Sequence, residues 1–356
     1  MERAMTRWTT AALAALTWQC CVTAGTPPAY GATPASSALV DAMQRFEAAK
    51  PRIYAELGPE VALYFRRRLF DDLEALNMPP PEGYAPIDWA DTVANVAKLD
   101  VEAVDQLVSG APAPLRATPG LHEMFVMSRV DGTWQLVAVY VPPNAKAHRA
   151  LLAVVLHGNP QTESELLGQP FLRRLADRTG TIVVVPFGRG LYDYAEPAAT
   201  DVYDLLGDVQ TAFDADRGRT YLAGYSMGGF SVFMIGPRGG YKWAGVLCIS
   251  GAILNSGVRP VSIAWHEMRL YVVTGTNDTS IPTRYSEQTA GYLAGIGLPV
   301  SFYREPHGTH ALRTLTPSLE RAWDDMHAGL TRPETVPIAR NGCALPAGAP
   351  AAVMKP

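Results

Sequence analysis

Ser226, Asp278 and His310 follow one another along the chain, each just past a short apolar stretch. A serine hydroxyl becomes a nucleophile when a base takes its proton, and imidazole is the usual base near neutral pH. A carboxylate fixes the tautomer of that imidazole and stabilises the imidazolium that forms. Ser226 stands in Gly224-Tyr225-Ser226-Met227-Gly228, after Arg219–Ala223, which reads as a buried strand, and before Gly229–Ile235, which reads as the start of a helix. Gly224 and Gly228 leave out side chains that would collide across so sharp a turn. The turn also aims helix N-terminal amides at whatever the serine attacks. Alone, the G-x-S-x-G spacing is a weak signal; the strand–turn–helix context and the order Ser, Asp, His give it weight.

The partners come from loops at later strand ends. His310 closes Glu305–His310, directly after the last strand, and His307 is its rival in the same loop. Gly308 and Thr309 favour His310, because small residues let the loop fold back before it. Asp278 lies in Gly275–Pro282, past the strand ending at Thr274; the competing role is a turn residue bonding its own backbone. Asp201, Asp204 and Asp208 precede Ser226 and suit the start and face of a helix. An oxyanion would take the amide of Met227 and the amide of Asn159, from His157-Gly158-Asn159-Pro160. His157 reads as a structural residue of that turn. No Cys/His spacing resembles a zinc site, and this chemistry needs no metal or organic cofactor.

Stepwise alternation of strands and helices positions these residues. Leu121–Ser128 and Thr133–Val141 flank Asp131-Gly132, a strong hairpin signal. Strands follow at Leu151–Leu156, Thr181–Pro186, Gly245–Ser250, Arg269–Thr274 and Val300–Arg304, with helices at Glu163–Arg178, Asp201–Ala215, Pro282–Ala294 and Pro317–Leu330. Continuous apolar strands alternating with helices predict an α/β fold: a mostly parallel sheet opened by an antiparallel hairpin, with helices on both faces. Such sheets carry function at the carboxyl ends of their strands. Ahead of them, Ala38–Lys50 with Ser37 as N-cap, Val61–Leu76 and Trp89–Leu107 have helical periodicity. Arg66-Arg67-Arg68 reads as a solvated face. The predicted organisation is a signal peptide (1–24), a flexible leader (25–37), a helical accessory region (38–118), a catalytic domain (119–330) and a mobile tail (331–356).

The export signal rests on Arg3 and Arg7, the apolar Trp8–Trp18 and the small-residue site Val22-Thr23-Ala24. It implies a secreted or periplasmic protein; Gln19 before Cys20 argues against a lipid anchor. Of the remaining cysteines, Cys248 reads as a buried thiol, and a bridge to Cys343 depends on a distance that sequence does not set. The 356 residues are 48% hydrophobic and 18% charged, with net charge -4. That balance supports a sizeable core, gives no electrostatic reason to bind nucleic acid, and includes no transmembrane segment in the body of the chain. Oligomeric state has no sequence signal.

From about Gly120 to Leu330 the chain resembles the α/β-hydrolase fold, and within it the secreted esterase and polyhydroxyalkanoate-depolymerase-like group, shading into prolyl-oligopeptidase-like catalytic domains. The matching residues are Val130–Thr133, Leu156–Asn159, Arg189-Gly190, Asp201, Arg219–Gly229, the acid loop Gly275–Pro282 and the histidine loop Gly308–His310. Thr309 is a mild departure from the usual small residue before the histidine. The resemblance implies a serine hydrolase acting on a small-molecule or polymeric ester. A serine peptidase is the alternative on the same fold, and a catalytically silent binding protein the alternative from another class. Only Gly251–Met268 separates two core strands where relatives insert a lid, so any lid is small. Trp265, Tyr192 and Tyr194 are candidate wall residues, and the accessory helices are expected beside the catalytic mouth.

Overall fold

The computed structural model describes residues 34–81, 84–110, 112–190, 194–253 and 268–336. The signal-peptide assignment, the leader as far as residue 33, the 254–267 segment with Trp265, Tyr192 and the tail from 337 with Cys343 lie outside these residues; positions 34–37, expected in the flexible leader, are helical. Eight strands form one sheet in the order β1-β2-β4-β3-β5-β6-β7-β8. They are β1 (Gly120–Met127), β2 (Trp134–Val141), β3 (Ala150–Leu156), β4 (Thr181–Pro186), β5 (Ala215–Tyr225), β6 (Gly245–Ile249), β7 (Leu270–Gly275) and β8 (Val300–Glu305). Only β2 is reversed: it pairs antiparallel with β1 and β4, and all other pairings are parallel.

The unbroken apolar strands are explained by cover on both faces. Leu152, Val154 and Leu156 of β3 enter one core with α6 (Ala198–Ala212), α7 (Met227–Ile235) and α8 (Thr283–Gly295). Ala153 and Val155 face the other core, with α4 (Glu163–Gly168), α5 (Pro170–Thr179) and α9 (Thr316–Ala328). Where one helix was expected over Glu163–Arg178, two form. Pro170 cannot donate an amide to a continuing helix, so Gln169 is extended and α5 starts afresh.

Three further helices, α1 (Pro34–Leu57), α2 (Pro59–Ala75) and α3 (Pro86–Ser109), belong to the same compact unit as the sheet. Ser37 does not cap α1. The helix begins at Pro34 and continues through Pro51, because Ile53 and Leu57 beyond it are fully buried. The arginine run also departs from a solvated face. Arg67 is exposed, but Arg68 is 4% exposed and lies among Asp72, Asp100, Glu123 and Glu163. Those carboxyls come from α2, α3, β1 and α4, so one guanidinium ties the accessory helices to the sheet's first strand and to the helix after β3. Burial pushes the Asp72, Glu123 and Glu163 carboxyls upward, which relieves part of the excess negative charge. At the far edge, Arg332 and Thr335 bond Ser301 and Phe302 of β8, so 331–336 lies along the strand.

Candidate active site

β5 ends at Tyr225 and α7 begins at Met227, leaving Ser226 alone to make the turn at φ 53 and ψ -112. A non-glycine residue enters this region only when its surroundings hold it there. Here the Ser226 amide donates to the Ile249 carbonyl at 2.9 Å, and the Gly228 amide donates to the His157 carbonyl at 3.1 Å. A Cβ on Gly224 would lie 2.1 Å from the Gly228 oxygen, and one on Gly228 would lie 2.2 Å from the Leu156 oxygen. Both glycines are therefore required by close backbone approach, not by local flexibility.

His310 Nε2 lies 2.9 Å from Ser226 Oγ, and His310 Nδ1 lies 2.9 Å from Asp278 Oδ2. The carboxylate accepts from Nδ1–H, which leaves the Nε2 lone pair facing the serine hydroxyl. Asp278 also accepts the Ile281 amide on Oδ1 at 2.8 Å, and its side chain is fully buried, whereas that of His310 is 24% exposed. The two loops are joined through their backbones. The Asn277 amide donates to the Gly308 carbonyl at 2.8 Å, and the Thr276 amide donates to Glu305 at 3.0 Å. His307 is exposed, and its backbone amide bonds Thr276 Oγ1. Ser226 is thus faced by His310 and not by its rival.

Gly158 lies against Ser226: a Cβ there would be 3.1 Å from Ser226 Cβ and 2.9 Å from the Tyr225 ring. Asn159 is the next residue. On the other side Met227 opens α7, where an amide has no carbonyl one turn earlier to accept it. His157 is buried with Nδ1 3.0 Å from the Gly158 carbonyl and Nε2 3.0 Å from that of Phe187, so neither nitrogen is available to Ser226. Tyr194 is no wall of the mouth. It is fully buried, accepts the His157 amide at 3.1 Å and donates to the Pro186 carbonyl at 3.1 Å, bracing the ends of β3 and β4. The loop after β4 turns inward at Gly188, where a Cβ would meet the Tyr194 ring at 2.6 Å.

The neighbouring aspartates serve scaffolding. Asp201 and Asp131 both hold Arg189, which fastens the hairpin to the loop after β4, and this pairing keeps the Asp131 carboxyl well below the usual range. Asp204 and Asp208 bind Arg129. Cys248 is a buried free thiol beside the Gly229 carbonyl. Sequence reasoning passed over Tyr225, whose hydroxyl donates to the His310 carbonyl; an unspecified position inside a motif carries no spacing signal. Among the described residues, no group of three or more His, Cys, Asp or Glu is placed to hold a metal, and no helix is long and apolar enough to cross a membrane.

Residues 153–354 match the family model described as "Alpha/beta hydrolase family". A curated relative is the bifunctional acetylxylan esterase/xylanase XynS20E of Neocallimastix patriciarum, 29% identical over 169 residues. The match covers 46% of this chain and 24% of that protein, so the chain spans about a quarter of the relative's length. Among solved structures, a thermostable esterase is 17% identical with TM-score 0.50, covering 60% of this chain and 63% of that one. FphF, a fluorophosphonate-binding serine hydrolase of Staphylococcus aureus, is 17% identical with TM-score 0.49, covering 59% and 99%. At these identities the structural likeness is one of fold.

Proposed function

The chain belongs to the alpha/beta hydrolase family, and on that footing we propose that it is a secreted serine esterase working through an acyl-enzyme on Ser226. Ser226 Oγ attacks the ester carbonyl carbon as His310 Nε2 takes its proton. The amides of Met227 and Asn159 hold the oxyanion of the tetrahedral intermediate. Its collapse breaks the bond to the alkoxy oxygen, which leaves as the alcohol with the proton from His310. Water, deprotonated by the same imidazole, then releases the acid and restores the serine. Asp278 keeps Nδ1 protonated and stabilises the imidazolium in both halves.

The observation that carries this reading is the unbroken hydrogen-bonded line from Ser226 through His310 to Asp278, at 2.9 Å and 2.9 Å. The esterase named in the curated relative supports ester over amide as the bond cleaved, and a polymer-borne ester as one form of substrate. The test is covalent labelling by a fluorophosphonate, together with turnover of p-nitrophenyl acyl esters against peptidyl amides. Labelling and ester turnover, both lost in Ser226→Ala, are expected. Amide turnover without ester preference would make the protein a peptidase, and absence of both labelling and turnover would make it a silent binding protein. Export is checked by N-terminal sequencing of the mature protein, expected to begin near Gly25.

A further inference from the structure

The aromatic pair Tyr84, just before α3, and Trp89, in its first turn, lines a pocket that the proposed mechanism does not use. We infer that this pocket is a substrate subsite for a single flat, uncharged aromatic ring. The inference rests on Ser226 being the nucleophile. It places selectivity in helices that precede the family-matched stretch.

Location comes first. The pocket, about 230 Å³, lies between the helical region and residues 160–169. Pro160 and Gln161 line it, and they are the second and third residues after Gly158, which abuts Ser226. Three residues of chain span at most about 11 Å, so the pocket wall begins within reach of an ester bound at Ser226. Tyr84 ties the pocket to the other side of the site as well. The Arg313 guanidinium sits 4.6 Å from the Tyr84 ring centroid, and Arg313 is three residues past His310. The Tyr84 hydroxyl donates to Gln169 Oε1 at 3.3 Å. A second depression of about 370 Å³ also has Tyr84, Gln169 and Arg313 in its lining, so Tyr84 is a wall common to two hollows.

The chemistry follows from the lining. Tyr84 and Trp89 meet edge to face, with centroids 5.6 Å apart and planes at 67°. Val93, Val96, Ala75 and Pro160 complete an apolar wall. Such a surface favours a flat ring, and the volume suits one ring rather than a long chain. Asp72 and Glu165 also face the pocket and disfavour an anionic ring.

The experiment compares esters with the ring on either side, 4-hydroxybenzyl acetate and methyl 3-(4-hydroxyphenyl)propanoate, with ethyl acetate and methyl butanoate. The expected result is that one ring-bearing ester has at least a tenfold higher kcat/KM than its small counterpart. Trp89→Ala and Tyr84→Ala should each cut that preference about tenfold, mainly through KM. Preference unchanged in both variants, or absent in wild type, overturns the subsite. Saturable binding of 4-ethylphenol, followed by tryptophan fluorescence and by ligand NMR, tests the pocket independently of turnover. Binding in wild type that weakens in Trp89→Ala and Tyr84→Ala supports it, even if no ester is cleaved and the esterase reading fails. No saturable binding, or tighter binding of methyl glucoside, overturns it.

Discussion

The hydroxyl of Tyr225 donates a 2.7 Å hydrogen bond to the main-chain carbonyl of His310. The residue before Ser226 thus holds the backbone of His310, and the Tyr225 and His310 rings lie 5.2 Å apart between centroids. The distance from Ser226 Oγ to Nε2 is set from two directions, by Asp278 behind the imidazole and by Tyr225 beneath its backbone. Tyr225→Phe keeps the ring and removes the bond. A hydrogen bond of this kind is worth about 1 kcal/mol, or roughly fivefold in rate if it acts only on alignment. The expected result is kcat lowered about three- to tenfold with KM nearly constant. An unchanged kcat would show that the loop holds His310 without Tyr225.

Asp278→Asn tests the acid separately. The amide oxygen can still accept from the Ile281 amide, so the loop should keep its shape. Its NH2 group would then face Nδ1 and favour the tautomer with the proton on Nε2, which cannot accept from Ser226. A loss of about 10⁴ in kcat is expected, with unaltered circular dichroism and melting temperature. Activity close to wild type would assign the acid's role to another residue.

Much of this arrangement was legible because each part carries its own local signal. Asp131-Gly132 marked the hairpin, the continuous apolar runs marked strands covered on both faces, and Ser226, Asp278 and His310 each stand just past such a strand. What stayed hidden depends on meetings between distant segments. Nothing in Arg66-Arg67-Arg68 says that the third arginine alone turns inward, because the four carboxyls that surround it come from three other elements besides its own helix. Tyr194 reads as a candidate wall residue of the mouth because its bracing role depends on the loop at Gly188 folding inward. Helix ends failed for a related reason. Tertiary burial of Ile53 and Leu57 carries α1 past Pro51, where local propensity alone would stop it.

Arg68 is the next target. Its Nε and Nη2 hold Asp100 at 2.7 and 2.6 Å, and Nη1 holds Glu163. Arg68→Met preserves most of the volume and strands four buried carboxyls without a cation. Removing one partner of a buried ion pair costs about 3–5 kcal/mol. Chemical denaturation should show a loss of that order, and limited proteolysis should cut first within α1–α3. Adding Asp100→Asn and Glu163→Gln should restore part of the loss, since the uncompensated charge is then gone. A stability change under about 1 kcal/mol would mean that the carboxyls are neutral in the folded protein and the arginine is dispensable.

Stability should also depend on pH through His327. Its Nε2 lies 2.8 Å from Thr181 Oγ1 and its Nδ1 lies 2.8 Å from the Trp323 carbonyl, with the ring between Tyr221 and Trp323. Burial pushes this imidazole down to about 4 from its ordinary 6.5. Between those values the unfolded chain binds the extra proton and the folded one does not, so stability falls as pH drops from 6.5 toward 4. The contribution lost is about 3 kcal/mol. Glu165 acts in the opposite sense. Burial raises it to about 7 from 4.5, so its contribution is complete below 4.5 and fades as pH rises through 7. The two slopes oppose each other in wild type between pH 4.5 and 6.5, and single variants separate them. His327→Gln, whose amide can serve both hydrogen bonds, should lose acid sensitivity. Glu165→Gln should flatten the decline toward pH 7. Denaturation midpoints measured from pH 4 to 8 decide the matter: a His327→Gln profile parallel to wild type would mean that the imidazole is already protonated in the fold, with Thr181 turned to accept from it.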